Sequence, residues 1–230
     1  MQTSSTPNAI LQIDRKSPYY PIRLHDLYDP PGCLYIYGDI HLLKRPVIAI
    51  VGSRNASPEG LKNAGLFAQA LSKAGALIVS GLAKGVDSAA HQAVIELGPN
   101  HCTAAILGTG IDVVYPRQNI ELSRAISQQG LLVSELPLGS GPKAWHFPRR
   151  NRIIAALAIG VVVIEAAEKS GSLITARLAA DLGREVFALP GPIHNTNSAG
   201  CHLLIQQGAK LAFKPDDVLE EFSFLSKNSI

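Results

Sequence analysis

The densest run of basic residues in the chain is Lys143–Arg152, with the sequence KAWHFPRRNR. Its ten residues carry four cations and no acid, and Trp145 and Phe147 lie between the cations. A single-stranded nucleic acid needs both kinds of group, because cations follow its phosphates while aromatic rings stack on its bases. We expect Pro142 and Pro148 to hold this segment as an extended loop before a helix begins at about residue 150. The contacts predicted here are Lys143, Phe147, Arg149, Arg150, Asn151 and Arg152.

The two aromatic residues of this segment are given different roles. Trp145 is predicted to pack into the core, where a large ring buries the most surface. Two interpretations of Phe147 stay open. It caps the core beneath the basic loop, or it stacks on a base of the bound strand.

Three further short segments combine glycine, hydroxyl groups and a cation. They are Gly52-Ser53-Arg54, the SGLAKG turn at 80–85, and Lys169–Ser172. Glycine allows close approach of a ligand to the backbone, arginine binds phosphate bidentately, and the free amides of a helix start attract anions. We therefore expect phosphate contacts from Gly52, Ser53, Arg54, Gly81, Lys84, Gly85, Lys169, Ser170, Gly171 and Ser172.

Residue patterns that would indicate catalysis are weak. Asp87 and His91 lie one turn apart on a predicted helix, where a stabilising hydrogen bond between them is favoured over an acid–base pair. The histidines lack metal-ligand spacing, and no GxSxG elbow occurs. The turn at 108–110 lacks the third glycine of a dinucleotide site, and no GxxxxGK[ST] motif is present. Neither a cofactor nor a metal is expected.

From Pro46 onward, short apolar runs alternate with longer amphipathic segments, which predicts an α/β fold with a doubly wound, mainly parallel sheet. In such a sheet the turns after the strands line one crevice, and the glycine-rich turns above occupy those positions. The predicted strands are Val47–Val51, Ala76–Val79, Thr103–Leu107, Leu131–Val133, Val161–Ile164, Glu185–Ala188 and Leu211–Phe213. The predicted helices are 58–74, 86–97, 119–129, 150–158, 172–182 and 199–207.

Residues 1–46 differ from the rest, since they hold six prolines and show no clear helix or strand period. We expect an irregular, extended N-terminal segment packed on a main domain of residues 47–230. The three cysteines form no CxxC pair and no secretory signal is visible. The longest apolar run, Ile153–Ile164, is far shorter than the roughly 20 residues of a spanning helix, so a cytoplasmic protein without a membrane partner is expected.

Charge placement says more than the net charge of +3. Without the seven cations of the predicted loops, 14 basic residues remain against 18 acidic ones. The body of the protein is thus mildly acidic, and its positive charge is expected to converge on one face. The seven cations are Arg54, Lys84, Lys143, Arg149, Arg150, Arg152 and Lys169.

The motifs, in this order, resemble those of the DprA/Smf family of bacterial DNA-processing proteins over about residues 18–213. They are VGSR at 51–54, SGLAKGVDSAAH at 80–91, Tyr115-Pro116, Ser134-Glu135, FPRRNRII at 147–154, SGSLITA at 170–176 and PG at 190–191. The resemblance implies an extended Rossmann-like fold and a homodimer that binds single-stranded DNA, loads RecA in natural transformation and is not an enzyme. This chain departs from the family pattern at Ala156, Ala158 and His202.

Two other functions are kept as alternatives. One is a nucleoside-monophosphate phosphoribohydrolase of a related Rossmann-like fold. Such enzymes use a PGGxGT-type helix start with a glutamate nearby, which Ser170–Ser172 and Glu165 resemble only weakly. The other is a scaffold that binds only proteins. Release of a base from nucleoside monophosphates would identify the first, and loss of DNA binding at every salt concentration would favour the second.

Overall fold

The computed structural model describes residues 9–223 as one nine-stranded sheet with helices on both faces. None of the helices in that range is long and apolar enough to cross a bilayer. The strands are β1 (Leu11–Asp14), β2 (Cys33–Gly38), β3 (Val47–Val51), β4 (Leu77–Ser80), β5 (Thr103–Ile106), β6 (Leu131–Ser134), β7 (Gly160–Val163), β8 (Glu185–Ala188) and β9 (Lys210–Leu211). The helices are α1 (Pro58–Lys73), α2 (Val86–Ile95), α3 (Ile120–Gln129), α4 (His146–Leu157), α5 (Gly171–Asp181), α6 (Ala199–Gln206) and α7 (Asp216–Leu219).

The strand order is β1-β2-β6-β5-β4-β3-β7-β8-β9. Strands β3 to β9 run parallel, while β1 and β2 are antiparallel to their neighbours. The doubly wound, mainly parallel sheet is therefore confirmed. The chain builds outward from β3 to β6 and then returns to add β7, β8 and β9 on the other side. The switch point of this topology lies between β3 and β7, where ligand sites form in such folds.

The residues of β3 show how both faces of the sheet are covered. Ile48 and Ile50 face one side, where they join a core cluster that includes Phe67 of α1. Val47 and Val51 face the other side and pack in the cluster that contains the apolar residues of α4 and α5. Because both faces are buried, the strand is apolar at every position, which is why its sequence predicts it so well.

Strands β1 and β2 were not predicted. Residues 33–37 of β2 are all apolar or aromatic, so the sequence hides the alternation that the structure shows, with Leu34 and Ile36 buried between more exposed neighbours. Two 3₁₀ turns, Ile22–Asp26 and Ile40–Lys44, surround this strand in the chain. The described part of the N-terminal segment thus extends the sheet, with β2 paired to β6.

Helix α4 begins at His146, four residues before its predicted start. The expectation of an extended loop before the helix is therefore wrong for residues 146–149, which already belong to α4. Pro148 lies in the first turn, where a backbone N–H has no partner within the helix, so proline is compatible with it. The other predicted strands and helices lie within two residues of the observed bounds, and α7 was not predicted.

Asp87 and His91 are both buried but make hydrogen bonds to other groups, so the predicted bond between them is wrong. The Asp87 carboxylate accepts from the amides of Gly81 and Ala83 at 3.1 and 3.3 Å. His91 Nδ1 lies 2.7 Å from the Thr103 hydroxyl, which itself donates to a backbone carbonyl, so Nδ1 carries the proton. Burial, together with the charge of Arg150, lowers the pKa of His91 to about 3.

We predict that acid destabilises the protein partly through His91. The unfolded chain takes up a proton on this residue near pH 6.5, whereas the folded protein does so only near pH 3. Stability therefore falls as the pH drops through that interval, by about 2–3 kcal/mol between about pH 6.5 and 4.5. The variant His91→Gln should lack this part of the loss in unfolding free energy. Urea unfolding at about pH 6.5 and 4.5 measures the difference.

The raised pKa of the buried Asp87 makes the protein more stable as the pH falls. Because the unaltered protein and the His91→Gln variant share this effect, it cancels when the two are compared. An equal loss of stability on acidification in both proteins would contradict the assignment to His91.

Candidate functional site

A crevice of about 480 Å³ lies at the carboxyl ends of β3 and β7, at the switch point of the sheet. Its walls are the turn after β3, the first two turns of α4, and the connection between β7 and α5. Ten of the sixteen predicted contact residues line it. They are Gly52, Ser53, Arg54, Phe147, Arg150, Asn151, Lys169, Ser170, Gly171 and Ser172.

A second cavity of about 130 Å³ adjoins the crevice and brings in the predicted residues Gly81 and Lys84. Arg54, Phe147 and Arg150 line both cavities. The ring centroid of Phe147 lies 5.5 Å from that of Tyr115 and 5.4 Å from the Arg54 guanidinium. The Phe147 ring therefore forms part of the shared wall.

Three exposed cations surround the two cavities. Arg54, Lys84 and Lys169 have no acidic partner among residues 9–223. Ser170 caps α5 by accepting from the Ser172 amide at 3.3 Å, and the first turn of that helix carries no acid. Free cations, hydroxyl groups and a helix N-terminus together make a surface that attracts phosphate.

Arg150 also lines both cavities, but its side chain is buried with only 5% exposure. Its Nη1 donates to the carbonyls of Gly81, at 2.7 Å, and Ile106. Burial lowers its pKa to about 10 although the charge of Asp87 opposes this, so Arg150 is charged at neutral pH. Burial raises the pKa of Asp87, and the charge of Arg150 opposes that shift. This cation thus holds the cavity walls together.

Arg149 and Arg152 lie outside both cavities and pair with acids. Glu135, whose side chain is 7% exposed, binds both of them, with its oxygens 3.3 Å from Arg149 and closer still to Arg152. Asp29 adds a carboxylate 3.6 Å from Arg149 and a carbonyl 2.7 Å from Arg152. These contacts fasten the N-terminal segment to α4.

Gly85 and Lys143 also lie outside the two cavities, and Lys143 is exposed. Gly85 precedes α2 with φ of +76°, and a Cβ at this position would overlap the Ser53 carbonyl. The same carbonyl accepts from the amide of Val86 at 3.2 Å. The glycine is needed because the turns after β3 and β4 touch through their backbones.

Glu165 and Asn197 fix the turn after β3. The Glu165 carboxylate accepts from the amide and hydroxyl of Ser57 at 2.9 and 2.5 Å, and its carbonyl accepts from the Ser53 amide at 2.7 Å. The Asn197 side chain donates to the Asn55 carbonyl at 3.0 Å. Asn197 was not predicted, since nothing in its local sequence indicates contact with a turn 142 residues away.

Trp145 is 56% exposed, so its predicted place in the core is wrong. It stands just before α4, and its ring meets that of His146 edge-on at 4.1 Å. His146, directed toward the protein interior, is the buried member of this pair.

The positions where the chain departs from the family pattern are structural in character. Ala156 and Ala158 are fully buried at the end of α4. His202 Nε2 lies 2.9 Å from the Gly191 carbonyl, beside the turn after β8. In the described part of the chain, no group of three or more His, Cys, Asp or Glu side chains is arranged to hold a metal.

The sheet, its switch-point crevice and the free cations on the rim define a Rossmann-like α/β protein with a positively charged cleft at its strand ends. The family model described as DNA recombination-mediator protein A matches residues 12–223. The chain belongs to this family, whose members are named DprA or Smf.

Two relatives illustrate the extent of the match. Protein Smf of Escherichia coli is 46% identical over 213 residues, which cover 92% of this chain and 56% of that protein. DNA processing protein DprA of Streptococcus pneumoniae is 49% identical over 205 residues, covering 89% of this chain and 72% of that protein. The chain thus spans little more than half the length of the Escherichia coli relative.

Solved structures show the same fold. The X-ray structure of the Streptococcus pneumoniae protein has a TM-score of 0.88 at 46% identity, covering 93% of this chain and 75% of that one. DNA processing protein A of Helicobacter pylori, whose structure concerns its single-stranded DNA binding mode, has a TM-score of 0.84 at 32% identity, covering 94% and 96%. A molybdenum cofactor binding protein of Rippkaea orientalis, at 20% identity and a TM-score of 0.57, shares the fold alone.

We predict that Arg150→Ala destabilises the fold by about 3–5 kcal/mol, because it leaves Asp87 buried without its opposite charge and two carbonyls without a donor. Arg149→Ala is the matched control. Its side chain is 47% exposed, so that change costs less than about 1 kcal/mol. Chemical denaturation of both variants measures the difference. Equal denaturation midpoints for the two would show that Arg150 has no such structural role.

Proposed function

We propose that this chain binds single-stranded DNA and acts without catalysis as a mediator of recombination. The observation that carries the proposal is the convergence of Arg54, Lys84 and Lys169, all exposed and free of acidic partners in residues 9–223, around the crevice at the switch point. The backbone charge of a nucleic acid supplies a row of phosphates for such a rim.

The size and lining of the site favour a single strand. A crevice of about 480 Å³ is in the range of sites that enclose small molecules, so it takes part of a strand and not a duplex. The aromatic rings of Phe147 and Tyr115 offer π surfaces that only unpaired bases can reach. The solved Helicobacter pylori relative, which binds single-stranded DNA, supports the same class of ligand.

Within this proposal the predicted contact residues divide by role. Free cations and the groups beside them bind phosphate: Arg54, Lys84, Lys143, Lys169, Ser53, Asn151, Ser170 and Ser172. Gly52 and Gly171 allow the backbone to approach the DNA strand, whereas Gly81 and Gly85 serve close contacts within the protein and shape the walls. Phe147 contacts a base, while Arg149 pairs with acids and reaches phosphate only from its exposed side. Arg150 and Arg152 act mainly by holding the other contacts in place.

Family membership supports a wider role as well. We propose a cytoplasmic homodimer that protects incoming DNA during natural transformation and passes it to RecA. This chain covers 56% of the Escherichia coli relative, so these are properties to test on this chain directly. Light scattering measures the dimer, and RecA strand exchange on DNA coated with the protein measures the loading.

The geometry does not favour the alternative of a phosphoribohydrolase. That reaction needs a carboxylate free to act on the ribose, whereas the Glu165 carboxylate accepts from the amide and hydroxyl of Ser57, the N-cap of α1. Incubation with nucleoside monophosphates tests this point. We expect no released base, and robust turnover would overturn the proposal of a non-enzymatic role.

We predict that Arg54→Ala and Lys169→Ala each weaken binding of single-stranded oligonucleotides by a similar factor for every sequence. Each change removes one phosphate contact, so the slope of log affinity against log salt flattens by about 0.7. Filter binding of single-stranded against double-stranded oligonucleotides over a salt series measures both effects.

The matched control is Lys73→Ala, which removes an exposed cation from the far end of α1. This change should leave both affinity and slope as they are. If the double variant Arg54→Ala/Lys169→Ala binds as tightly as the unaltered chain while its fold is intact, the crevice is not the binding site. Absence of DNA binding at every salt concentration, with a RecA complex retained, would instead indicate a protein scaffold.

A further inference from the structure

We propose a second DNA-binding surface on the far side of α4, the aromatic strip formed by Tyr28, Trp145 and Arg149. The strip would carry the continuation of the same single strand after it leaves the crevice. This inference rests on the proposed function, since it needs a strand already held in the crevice.

The three residues of the strip are neighbours in space. Trp145 and Arg149 are one helical turn apart, joined by a hydrogen bond from the Arg149 amide to the Trp145 carbonyl at 3.4 Å. The Arg149 guanidinium lies 3.6 Å from the carboxylate of Asp29, the residue that follows Tyr28. Tyr28 therefore adjoins a residue that touches the Arg149 guanidinium, and Trp145 lies one turn before Arg149 on α4.

The exposure of both rings is unusual for residues of this size. Trp145 is 56% exposed and Tyr28 is fully exposed. Exposed aromatic residues close together mark binding surfaces, since water is a poor solvent for them. With Arg149 one turn after Trp145 and Lys143 two residues before it, the strip combines π surfaces and cations as single-strand binding surfaces do.

The strip and the crevice are on opposite sides of one helix. At 100° per residue, Phe147 and Asn151 share the side of α4 that lines the crevice, whereas Trp145 and Arg149 lie about half a turn away. The exposed Pro148 stands between the two sides. A helix is about 10–12 Å across, so about three or four stacked nucleotides at roughly 3.4 Å each reach from one side to the other.

Because Arg149 already pairs with two acids, a DNA phosphate must compete with them to bind it. In the free protein its guanidinium is shared between the buried Glu135 and the exposed Asp29, whose side chain is 65% exposed. A phosphate arriving from solvent displaces the exposed carboxylate and leaves the buried one in place. Asp29 thus opposes DNA binding at the strip, and removing its charge should strengthen that binding.

The test compares a short oligonucleotide of about 6 nucleotides, which fills only the crevice, with one of about 20, which also reaches the strip. We expect Tyr28→Ala and Trp145→Ala to leave the affinity for the short one unchanged and to lower the affinity for the long one about fivefold or more. Trp145→Phe should keep most of the affinity, because a ring remains. Asp29→Asn should raise the affinity for the long oligonucleotide alone.

Leu66→Ala, which truncates an exposed apolar residue on α1, controls for a general effect of surface truncation, and denaturation curves check each fold. The proposal is overturned if the aromatic variants bind the long oligonucleotide normally, or if they weaken both lengths equally. Arg54→Ala distinguishes this failure from failure of the proposed function. That variant should lose affinity for both lengths, and unaltered binding of both would count against the crevice itself.

Discussion

One buried cation organises the edge of the sheet where the crevice lies. Arg150 donates to the carbonyls of Gly81 and Ile106, and so ties α4 to the ends of β4 and β5. Asp87 supplies the opposite charge and holds the same turn through two amides. A Cβ at position 81 would overlap the guanidinium, so glycine is required by the cation and not by a ligand.

The sequence predicted the parallel part of the sheet because its strands are buried on both faces and read as unbroken apolar runs. It did not reveal β1, which is only four residues long, or β2, whose alternation is hidden by Tyr35 and Tyr37, which alternate with the buried Leu34 and Ile36. Nor could local patterns give the strand order, which depends on packing between distant segments. The switch point between β3 and β7, and with it the position of the crevice, became visible only in the assembled sheet.

For the site, the sequence correctly pointed to the turns after the strands, but it predicted the same contact role for all three arginines of FPRRNR. The structure separates them by helical phase: Arg150 shares the buried side of α4 with Ile153 and Ile154, while Arg149 and Arg152 meet acids of other segments. The burial of Arg150 could have been read from the helical period of 3.6 residues. Arg150 precedes Ile153 and Ile154 by three and four residues and so lies on the apolar face of the helix. The acid partners lay outside any local pattern.

The walls of the crevice are formed by residues far apart in the chain, which bears on how the protein folds. Ser57 and Glu165, whose hydrogen bonds fix one wall, are 108 residues apart, and Gly81 and Arg150 are 69 apart. Contacts that close such long loops form late, after local helices and hairpins, because the entropy of closure comes first. A ligand bound across these walls would stabilise the whole domain by mass action and not one loop. The walls of the crevice are therefore completed together with the sheet and not as a separate loop.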